Sequence, residues 1–281
     1  VRISTVPTMK GESIVLRLLS RDSISFDLAS IGMSPEVFES FEKLINIPHG
    51  IILVVGPTGS GKTTTLYSAI SRIDSVKRKI ITIEDPVEYQ FERLSQIPVN
   101  PQIGLTFAAG LRHIVRQDPD VILVGEIRDK ETADIAINAA LTGHLVLSTL
   151  HTNDAAGAIS RLLDLGVENF LVSSALFGVL SQRLVRIICA DCNGSGTNFN
   201  YTGGRCRTCS GTGFKGRTGV FELLTMNEEI RSAVIAGKSS TQIAAIARKN
   251  GMTTLSEDAA RKVKSGNTTE QEIARISIDT L

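Results

Sequence analysis

Short apolar runs alternate with segments of helical periodicity over the first two thirds of the chain. The apolar runs are residues 51–55, 79–83, 121–124 and 145–149. Apolar residues recur at helical spacing in residues 64–70, 106–117, 130–141, 154–165 and 169–184. A short continuous apolar run indicates a strand buried on both faces, and strands separated by helices form parallel sheets. This pattern predicts an α/β fold with a mostly parallel sheet.

The two ends of the chain have different patterns. A strand-like run within residues 2–19 is interpreted as the last strands of a preceding domain. Helical spacing returns in residues 226–236, 239–250, 255–264 and 269–276, which predicts a small helical subdomain. We therefore expect four parts: the end of a preceding domain with a linker (1–27), a core (28–185), a segment with all four cysteines (186–217) and a helical subdomain (218–281).

Composition excludes several classes of protein. With 281 residues, 42% hydrophobic and 21% charged, the chain is neither disordered nor fibrous. No apolar run approaches the ~18 residues that span a bilayer, and there is no signal-peptide pattern. The chain begins with Val1, so we expect a fragment excised from a longer protein. A net charge of +1 provides no general attraction to nucleic acid.

The first apolar run leads directly into a complete G-x-x-x-x-G-K-[ST] phosphate-binding pattern. The candidate nucleotide-binding residues here are Gly56, Pro57, Thr58, Gly59, Ser60, Gly61, Lys62, Thr63 and Thr64. Such a loop between strand and helix surrounds an anion with backbone N–H groups at the helix N-terminus. Lys62 is expected to reach the β- and γ-phosphates, and the Thr63 hydroxyl to bind Mg²⁺. A glycine-rich turn that binds nothing is the alternative, which the flanking strand and helix disfavour.

The other predicted strands also end in polar residues. These are Glu84, Asp85 and Glu88 after the second run, Glu126 after the third and His151 after the fourth. Because ligands of open α/β sheets bind at the carboxyl ends of strands, we expect these side chains to share one site. His151 could donate a hydrogen bond to the γ-phosphate.

Phosphoryl transfer suggests a role for each carboxylate. Glu126 is expected to orient the attacking water or to hold a metal-bound one. Glu88 is the better second candidate for contact with water, because Pro86 turns the chain before it. Glu84 and Asp85 could contact water around Mg²⁺ or accept a proton, or could instead cap the next element. Gly125 stands where an aspartate is usual, so Asp85 or water would replace that metal contact.

The four cysteines form two C-x₂-C pairs, Cys189 with Cys192 and Cys206 with Cys209, with thirteen residues between the pairs. Two such pairs supply the four thiolates of a tetrahedral Zn²⁺ site. Disulfide bonds are the alternative, which a cytosolic nucleotide enzyme disfavours. Because four thiolates leave no open coordination position, the expected zinc would be structural.

The order of the motifs resembles the secretion ATPases of type II secretion and type IV pilus assembly, whose relatives include pilus-retraction and archaeal flagellar motors. The resemblance covers the C-terminal ATPase region of that family and essentially the whole chain. It lies in the phosphate loop (56–63), an aspartate box (83–89), an atypical second nucleotide motif (120–129) and a histidine box (142–153). In this family, glycine at position 125 is normal.

The resemblance implies a RecA-like P-loop core in a homo-hexameric ring, with ATP and Mg²⁺ held between the core and the preceding domain. It assigns catalysis to Glu126 and Glu88, and γ-phosphate contact to His151. It also assigns arginine contacts to Arg2, Arg17, Arg112, Arg116 and Arg217. Arg112 and Arg116 are expected to share one helix face, although a solvated face is the alternative reading.

The same resemblance implies a cytoplasmic motor that is peripheral at the inner membrane through its partners. Those partners are an inner-membrane platform and a cytoplasmic-membrane linker protein, and the work is assembly of a secretion pseudopilus or a type IV pilus. Neither nucleic acid nor direct insertion into the membrane is expected. Two alternatives stay open: a RecA-like nucleic-acid motor, including one for DNA uptake or conjugation, and a nucleotide switch without catalysis.

Overall fold

The structure, a computed structural model, describes residues 2–17, 26–197 and 204–277. Its strands are β1 Arg2–Thr8, β2 Gly11–Arg17, β3 Gly50–Val55, β4 Ile80–Glu84, β5 Ser95–Pro98, β6 Val121–Val124, β7 Leu145–Leu150, β8 Leu176–Ile188 and β9 Phe214–Thr225. Its helices are α1 Pro35–Ile45, α2 Lys62–Arg72, α3 Phe107–Ile114, α4 Lys130–Leu141, α5 Ala155–Asp164, α6 Asn169–Ala175, α7 Glu228–Ile235, α8 Ser240–Lys249, α9 Leu255–Lys264 and α10 Glu270–Ser277, with a short 3₁₀ helix at Pro101–Ile103.

A seven-stranded sheet forms the centre of the molecule, in the order β5-β4-β6-β7-β3-β8-β9. Every neighbouring pair is parallel except β8 with β9, which is antiparallel. The four central strands are buried along their whole length, because helices cover both faces. The expected α/β class with a mostly parallel sheet is confirmed.

The two faces of this sheet have separate hydrophobic cores, and β3 contributes to both. Its residues Ile51 and Leu53 pack with α3, α4, α5, α7 and α8 on one face. Ile52 and Val54 pack with α1 and α2 on the other face. Successive side chains of a strand point to opposite faces, which explains why an uninterrupted apolar run is needed at this position.

The expected helix over residues 169–184 is wrong in its second half. Helix α6 ends at Ala175, and residues 176–188 form β8 between β3 and β9. Since β8 is covered on both faces, its apolar residues do not alternate clearly with polar ones, and periodicity alone could not separate a strand from a helix. Pairing with β3 decided the conformation.

Strands β8 and β9 run across two of the expected boundaries, at residues 185 and 217. β8 extends to Ile188, and β9 begins at Phe214 and pairs with it. The segment with the four cysteines is therefore inserted between two strands of the central sheet. The division into four domains stays a prediction.

The C-terminal helices begin where capping residues satisfy their first N–H groups. Ser239 and Thr254 each form a capping box, with Gln242 and Glu257 respectively. Helices α7 and α8 add Ile230 and Ile243 to one of the two cores of the sheet. Among the helices of residues 2–17, 26–197 and 204–277, none combines the length and apolar character needed to cross a membrane.

The strand-like run at the start of the chain forms an antiparallel hairpin of β1 and β2. It is a sheet of its own, and its apolar side chains Ile3, Val6 and Ile14 are all more than half exposed. A two-stranded sheet has little core to stabilise it alone. The interpretation as the last strands of a preceding domain stays a prediction.

Candidate nucleotide site and cysteine cluster

A cleft of about 500 Å³ lies at the carboxyl ends of the central strands. Among the candidate residues, its lining includes Thr58, Gly59, Gly61, Lys62, Thr63, Thr64, Glu84, Asp85, Glu88, Glu126, His151 and Arg217. These residues come from the ends of β3, β4, β6, β7 and β9 or from the segments that follow them. The fold thus brings together the polar residues that the sequence placed after separate strands.

The phosphate loop has the backbone that its glycines allow. Gly56 and Gly61 both have positive φ values, 148° and 91°, in a region that other residues rarely adopt. Gly61 is also the N-cap of α2, and no side chain caps this helix. The first N–H groups of α2 therefore remain available to an anion at the positive end of the helix dipole.

Lys62 lies across the loop, where its Nζ donates to the carbonyl oxygens of Gly56 and Pro57 at 2.8 and 2.9 Å. Burial lowers the pKa of Lys62, and the nearby carboxylate of Glu126 opposes this shift. Thr63 follows in the first turn of α2 and lines the cleft. Its hydroxyl shares the cleft with carboxylates such as Asp85, and oxygen ligands of this kind suit Mg²⁺.

Glu126 forms the charged centre of the cleft. Its Oε2 lies 2.6 Å from Nε of Arg128 and 3.5 Å from Nε2 of His151. Its side chain is only 12% exposed, whereas that of Arg128 is 66% exposed. Sequence reasoning missed Arg128, although its position two residues after Glu126 was a signal. The carboxylate is therefore held between a permanent cation and an imidazole.

His151 extends from the end of β7 into the same cleft and is about half exposed. Partial burial, followed by the charge of Lys62, lowers the pKa of His151 below its usual 6.5. The imidazole is consequently neutral near pH 7. A neutral imidazole can either donate or accept a hydrogen bond at Nε2, depending on its tautomer.

Glu84 differs from Asp85 and Glu88 because other side chains of the protein already donate hydrogen bonds to its carboxylate. It is 4% exposed and accepts hydrogen bonds from the hydroxyls of Tyr67 and Thr82, the second at 2.5 Å. The amide of Gln96 also donates to it at 3.3 Å. This geometry ties β4 to α2 and β5, and favours an anchoring role over helix capping. Tyr67 carried no recognisable signal in the sequence.

Asp85 and Glu88 follow Glu84 and are exposed at the cleft. No side chain of the described residues forms an ion pair within 4 Å of either carboxylate, so both can approach a ligand.

The predicted arginines are not all at the cleft. Arg217 lines it, whereas Arg112 forms an ion pair with Glu131 and, like Arg116, is not part of the described lining. The predicted helix over residues 106–117 ends earlier than expected, because α3 ends at Ile114 and Arg116 lies in the following turn. That Arg112 and Arg116 share one face stays a prediction. The side chains of Arg2 and Arg17 lie outside the described residues, although their backbones are direct partners in the hairpin.

The four cysteines converge in the segment between β8 and β9. All are buried, and their Sγ atoms lie within 4.8 Å of one another. Sγ of Cys189 is 3.9 Å from that of Cys206, and Sγ of Cys192 is 3.7 Å from that of Cys209. A disulfide would require about 2.05 Å, whereas a tetrahedron of thiolates around Zn²⁺ at ~2.3 Å has edges of about 3.8 Å. The geometry fits zinc.

The two cysteine pairs are followed by matching turns that close against each other. Ser195 donates to the carbonyl of Cys192 at 2.8 Å, and Thr212 donates to that of Cys209 at 2.7 Å. A Cβ on Gly196 would lie 2.4 Å from the carbonyl oxygen of Gly211, and one on Gly213 would lie 2.4 Å from that of Gly194. The repeated glycines therefore permit a close approach of the turns, which places the two thiolate pairs face to face.

Comparisons with known proteins show which family this chain resembles. The sequence family described as Type II/IV secretion system protein matches residues 1–275. The chain is 50% identical to the type II secretion system protein HxcR of Pseudomonas aeruginosa and to the type IV pilus assembly ATPase PilB of Thermus thermophilus. In both cases 99% of this chain is covered, but only 59% of HxcR and 33% of PilB.

A similar fold is present in a crystal structure of the pilus retraction motor PilT with bound ADP. The TM-score is 0.75 at 32% identity, over 97% of this chain and 72% of that one. The expected fold class is therefore confirmed by a solved structure as well as by the strand order of this chain. Since the family match extends over nearly the whole sequence, the chain belongs to the family of type II/IV secretion system proteins.

Proposed function

We propose that this chain is the ATP-hydrolysing region of a motor that drives assembly of a type II secretion pseudopilus or a type IV pilus. The observation that carries the proposal is the convergence of Lys62, Glu126 and His151 from three separate strand ends in one cleft. The two relatives, a secretion protein and a pilus assembly ATPase, support the choice of process. They give no comparable support to a nucleic-acid motor.

Each residue of the cleft has a defined task in this proposal. Lys62 and the N-terminus of α2 bind the β- and γ-phosphates, and Thr63 with Asp85 would hold Mg²⁺. Bound there, the metal would neutralise charge on the phosphate oxygens. Glu126 accepts a hydrogen bond from the attacking water and orients it, and Glu88, which also lines the cleft, is the second candidate for contact with this water. His151 donates from Nε2 to the γ-phosphate.

The remaining arginines complete the proposal. Arg217 contacts nucleotide from the edge of the cleft. Arg2 and Arg17, paired across the hairpin, would reach the nucleotide when the preceding domain closes on the core. Arg112 and Arg116 lie away from the cleft lining and would act between subunits of a homo-hexamer. The motor would be cytoplasmic, and bound to the inner membrane through platform and linker proteins.

The cysteine cluster would hold one structural Zn²⁺ through Cys189, Cys192, Cys206 and Cys209. Its support is the match between the observed sulfur separations and those of a tetrathiolate site. The metal would close the segment between β8 and β9, whose described residues, 189–197 and 204–213, form no helix or strand of their own.

The experiment that tests ATP hydrolysis is steady-state phosphate release by the full-length protein with Mg²⁺ and ATP. Lys62→Ala is expected to weaken both nucleotide binding and turnover, because it removes the positive charge beside the β- and γ-phosphates. Glu126→Gln is expected to keep binding and to lose about 10²–10³-fold in turnover, since the amide is a poor partner for the attacking water.

Asp164→Asn, a change of the same type at the end of α5, serves as the control and should turn over at the parental rate. Turnover of Glu126→Gln at that rate would remove Glu126 from the mechanism. Nucleotide binding without any turnover in the parent would instead favour a switch. Tight binding of DNA in a filter assay would favour the nucleic-acid motor.

A further inference from the structure

The turn between β7 and α5, which carries His151, is joined by hydrogen bonds to side chains of β8 and β9. Arg183 donates from Nη2 to the carbonyl oxygen of Asn153 at 2.9 Å. The hydroxyl of Ser181 donates to the same carbonyl at 3.4 Å. Glu222 accepts from the backbone N–H of Ala155 at 2.9 Å. These contacts lie two and four residues beyond His151.

The three side chains lie on one face of the β8–β9 pair. Ser181 and Arg183 are two residues apart on β8, so they point to the same side of the sheet. Glu222 is the direct partner of Ser181 in the antiparallel register, and directly opposed residues share a face. All three are buried, with exposures of 0%, 3% and 6%. The sequence did not predict this arrangement, because it depends on the pairing of β8 with β9.

Glu222 also contacts the start of α9. Its Oε2 accepts from the backbone N–H of Leu255 at 3.3 Å, while its Oε1 holds Ala155. Ala155 is the first residue of α5, and Leu255 is the first residue of α9. N–H groups at these positions have no partner within their helices, so one carboxylate satisfies two helix N-termini at once.

The placement of this carboxylate is chemically demanding. Burial raises the pKa of Glu222, and the nearby charge of Asp154 adds to this shift, while the two backbone N–H groups oppose it. A charge is costly to bury unless hydrogen bonds compensate it. A neutral amide of the same shape would have only one acceptor oxygen, and its NH₂ group would face a backbone donor. The site therefore specifically requires a carboxylate with two free oxygens.

We propose that Glu222 is a positioning residue that holds the His151 turn against the phosphate site and joins this turn to α9. Loss of one of its contacts allows residues 151–155 to move relative to Lys62 and Glu126. The proposal goes beyond the proposed function, because it assigns to the C-terminal helices a mechanical connection to the nucleotide cleft. Its kinetic consequence rests on the proposed ATP hydrolysis, whereas its structural consequence does not.

The test compares Glu222→Gln with Asp258→Asn in the full-length protein. Asp258 is a matched control because it is a buried carboxylate of α9 that accepts from the backbone N–H of Phe221, the residue next to Glu222. Among the described residues, Asp258 forms no hydrogen bond or ion pair with residues 151–155. Hydrogen exchange by mass spectrometry would follow the peptides that cover residues 151–158 and 253–260. Turnover at saturating ATP and nucleotide affinity would be measured in parallel, with melting temperatures as a check on folding.

Glu222→Gln should accelerate exchange in both peptides and lower kcat about tenfold, as expected for loss of a hydrogen bond to a charged group, with nucleotide affinity almost unchanged. Asp258→Asn should leave the 151–158 peptide and kcat at the parental values. Equal exchange of residues 151–158 in the two variants would overturn the proposal, as would an equal loss of kcat. If the parent shows no turnover, the proposed function fails, and the exchange comparison alone still decides the role of Glu222.

Discussion

Gln182 donates from its side-chain amide to the carbonyl oxygen of Ser60 at 2.6 Å, which fixes the phosphate loop against β8. The same strand approaches the start of the loop, where a Cβ on Gly56 would lie 2.5 Å from the carbonyl oxygen of Gln182. The conformation of the phosphate loop therefore depends on contacts with β8, and Gln182 of this strand lies 122 residues beyond Ser60 in the chain. Both contacts bear on the position of Lys62.

The hydrogen bond from Tyr67 to Glu84 should stabilise the cleft. Tyr67→Phe removes one donor from a buried carboxylate, so the free energy of unfolding should fall by about 1–3 kcal/mol. Urea denaturation at neutral pH without nucleotide measures this. Tyr89→Phe is the matched control. The ring of Tyr89 packs edge-on against that of Tyr67, with the ring centroids 6.1 Å apart, and its hydroxyl forms no hydrogen bond with the described residues. An equal change in both variants would show that the Tyr67 hydroxyl does not matter.

Removal of zinc should loosen the cysteine segment before the core. Thiolate ligands couple metal binding to local folding, so chelation should speed hydrogen exchange in residues 186–216 while the central sheet stays protected. Metal analysis of freshly purified, reduced protein should find one zinc per chain. A Cys206→Ser variant should bind it more weakly. Protein without zinc but with unchanged protection of residues 186–216 would contradict the structural role.

The glycines of the cysteine turns provide a test of their close approach. Gly196 and Gly204 both have positive φ values, 72° and 66°, but only at Gly196 would a Cβ meet another backbone atom. Gly196→Ala should therefore lower zinc affinity and melting temperature more than Gly204→Ala does. Both substitutions share the left-handed backbone cost of roughly 1–2 kcal/mol. Identical losses would indicate that contact with Gly211 is unimportant.

His151 should titrate below the usual imidazole pKa of 6.5, because burial and Lys62 disfavour its charged form. Nucleotide phosphates add negative charge nearby, so bound ATP analogue should raise that pKa. Since the folded pKa lies below the unfolded one, the unfolded chain takes up this proton first, so the free energy of unfolding should fall slightly as the pH falls below about 6.5 toward the folded pKa. NMR titration of the imidazole, assigned with His151→Gln, measures both values. A further fall of the pKa on nucleotide binding would place the phosphates away from His151.

Arg2 and Arg17, direct partners in the hairpin, should act in the transition state. An arginine that reaches the γ-phosphate only after domain closure stabilises developing charge, so its loss lowers kcat far more than ATP affinity. Arg2→Ala and Arg17→Ala in the full-length protein should each lower turnover at saturating ATP by at least tenfold. Lys10→Ala, at the hairpin turn, is the control. Parental turnover in both arginine variants would leave the closing domain without support.

The local sequence pattern was sufficient to predict the central strands, helix α9 and the cysteine cluster. The apolar runs predicted β3, β4, β6 and β7 because strands buried on both faces require such runs. Helix α9 was predicted with its observed bounds, Leu255–Lys264, since its amphipathic pattern and its cap are local signals. The spacing of the cysteine pairs also sufficed to predict their cluster, because each C-x₂-C pair forms within one turn.

Only the tertiary structure decided the features that depend on residues distant in the sequence. Strand β8 exists because β3 and β9 pair with it, whereas its own pattern suited a helix equally well. The hydrogen bond of Tyr67 to Glu84 and the double contact of Glu222 join residues 17 to 67 positions apart. A buried carboxylate is stable only where folding delivers donors to it, and no local pattern reveals which donors will arrive.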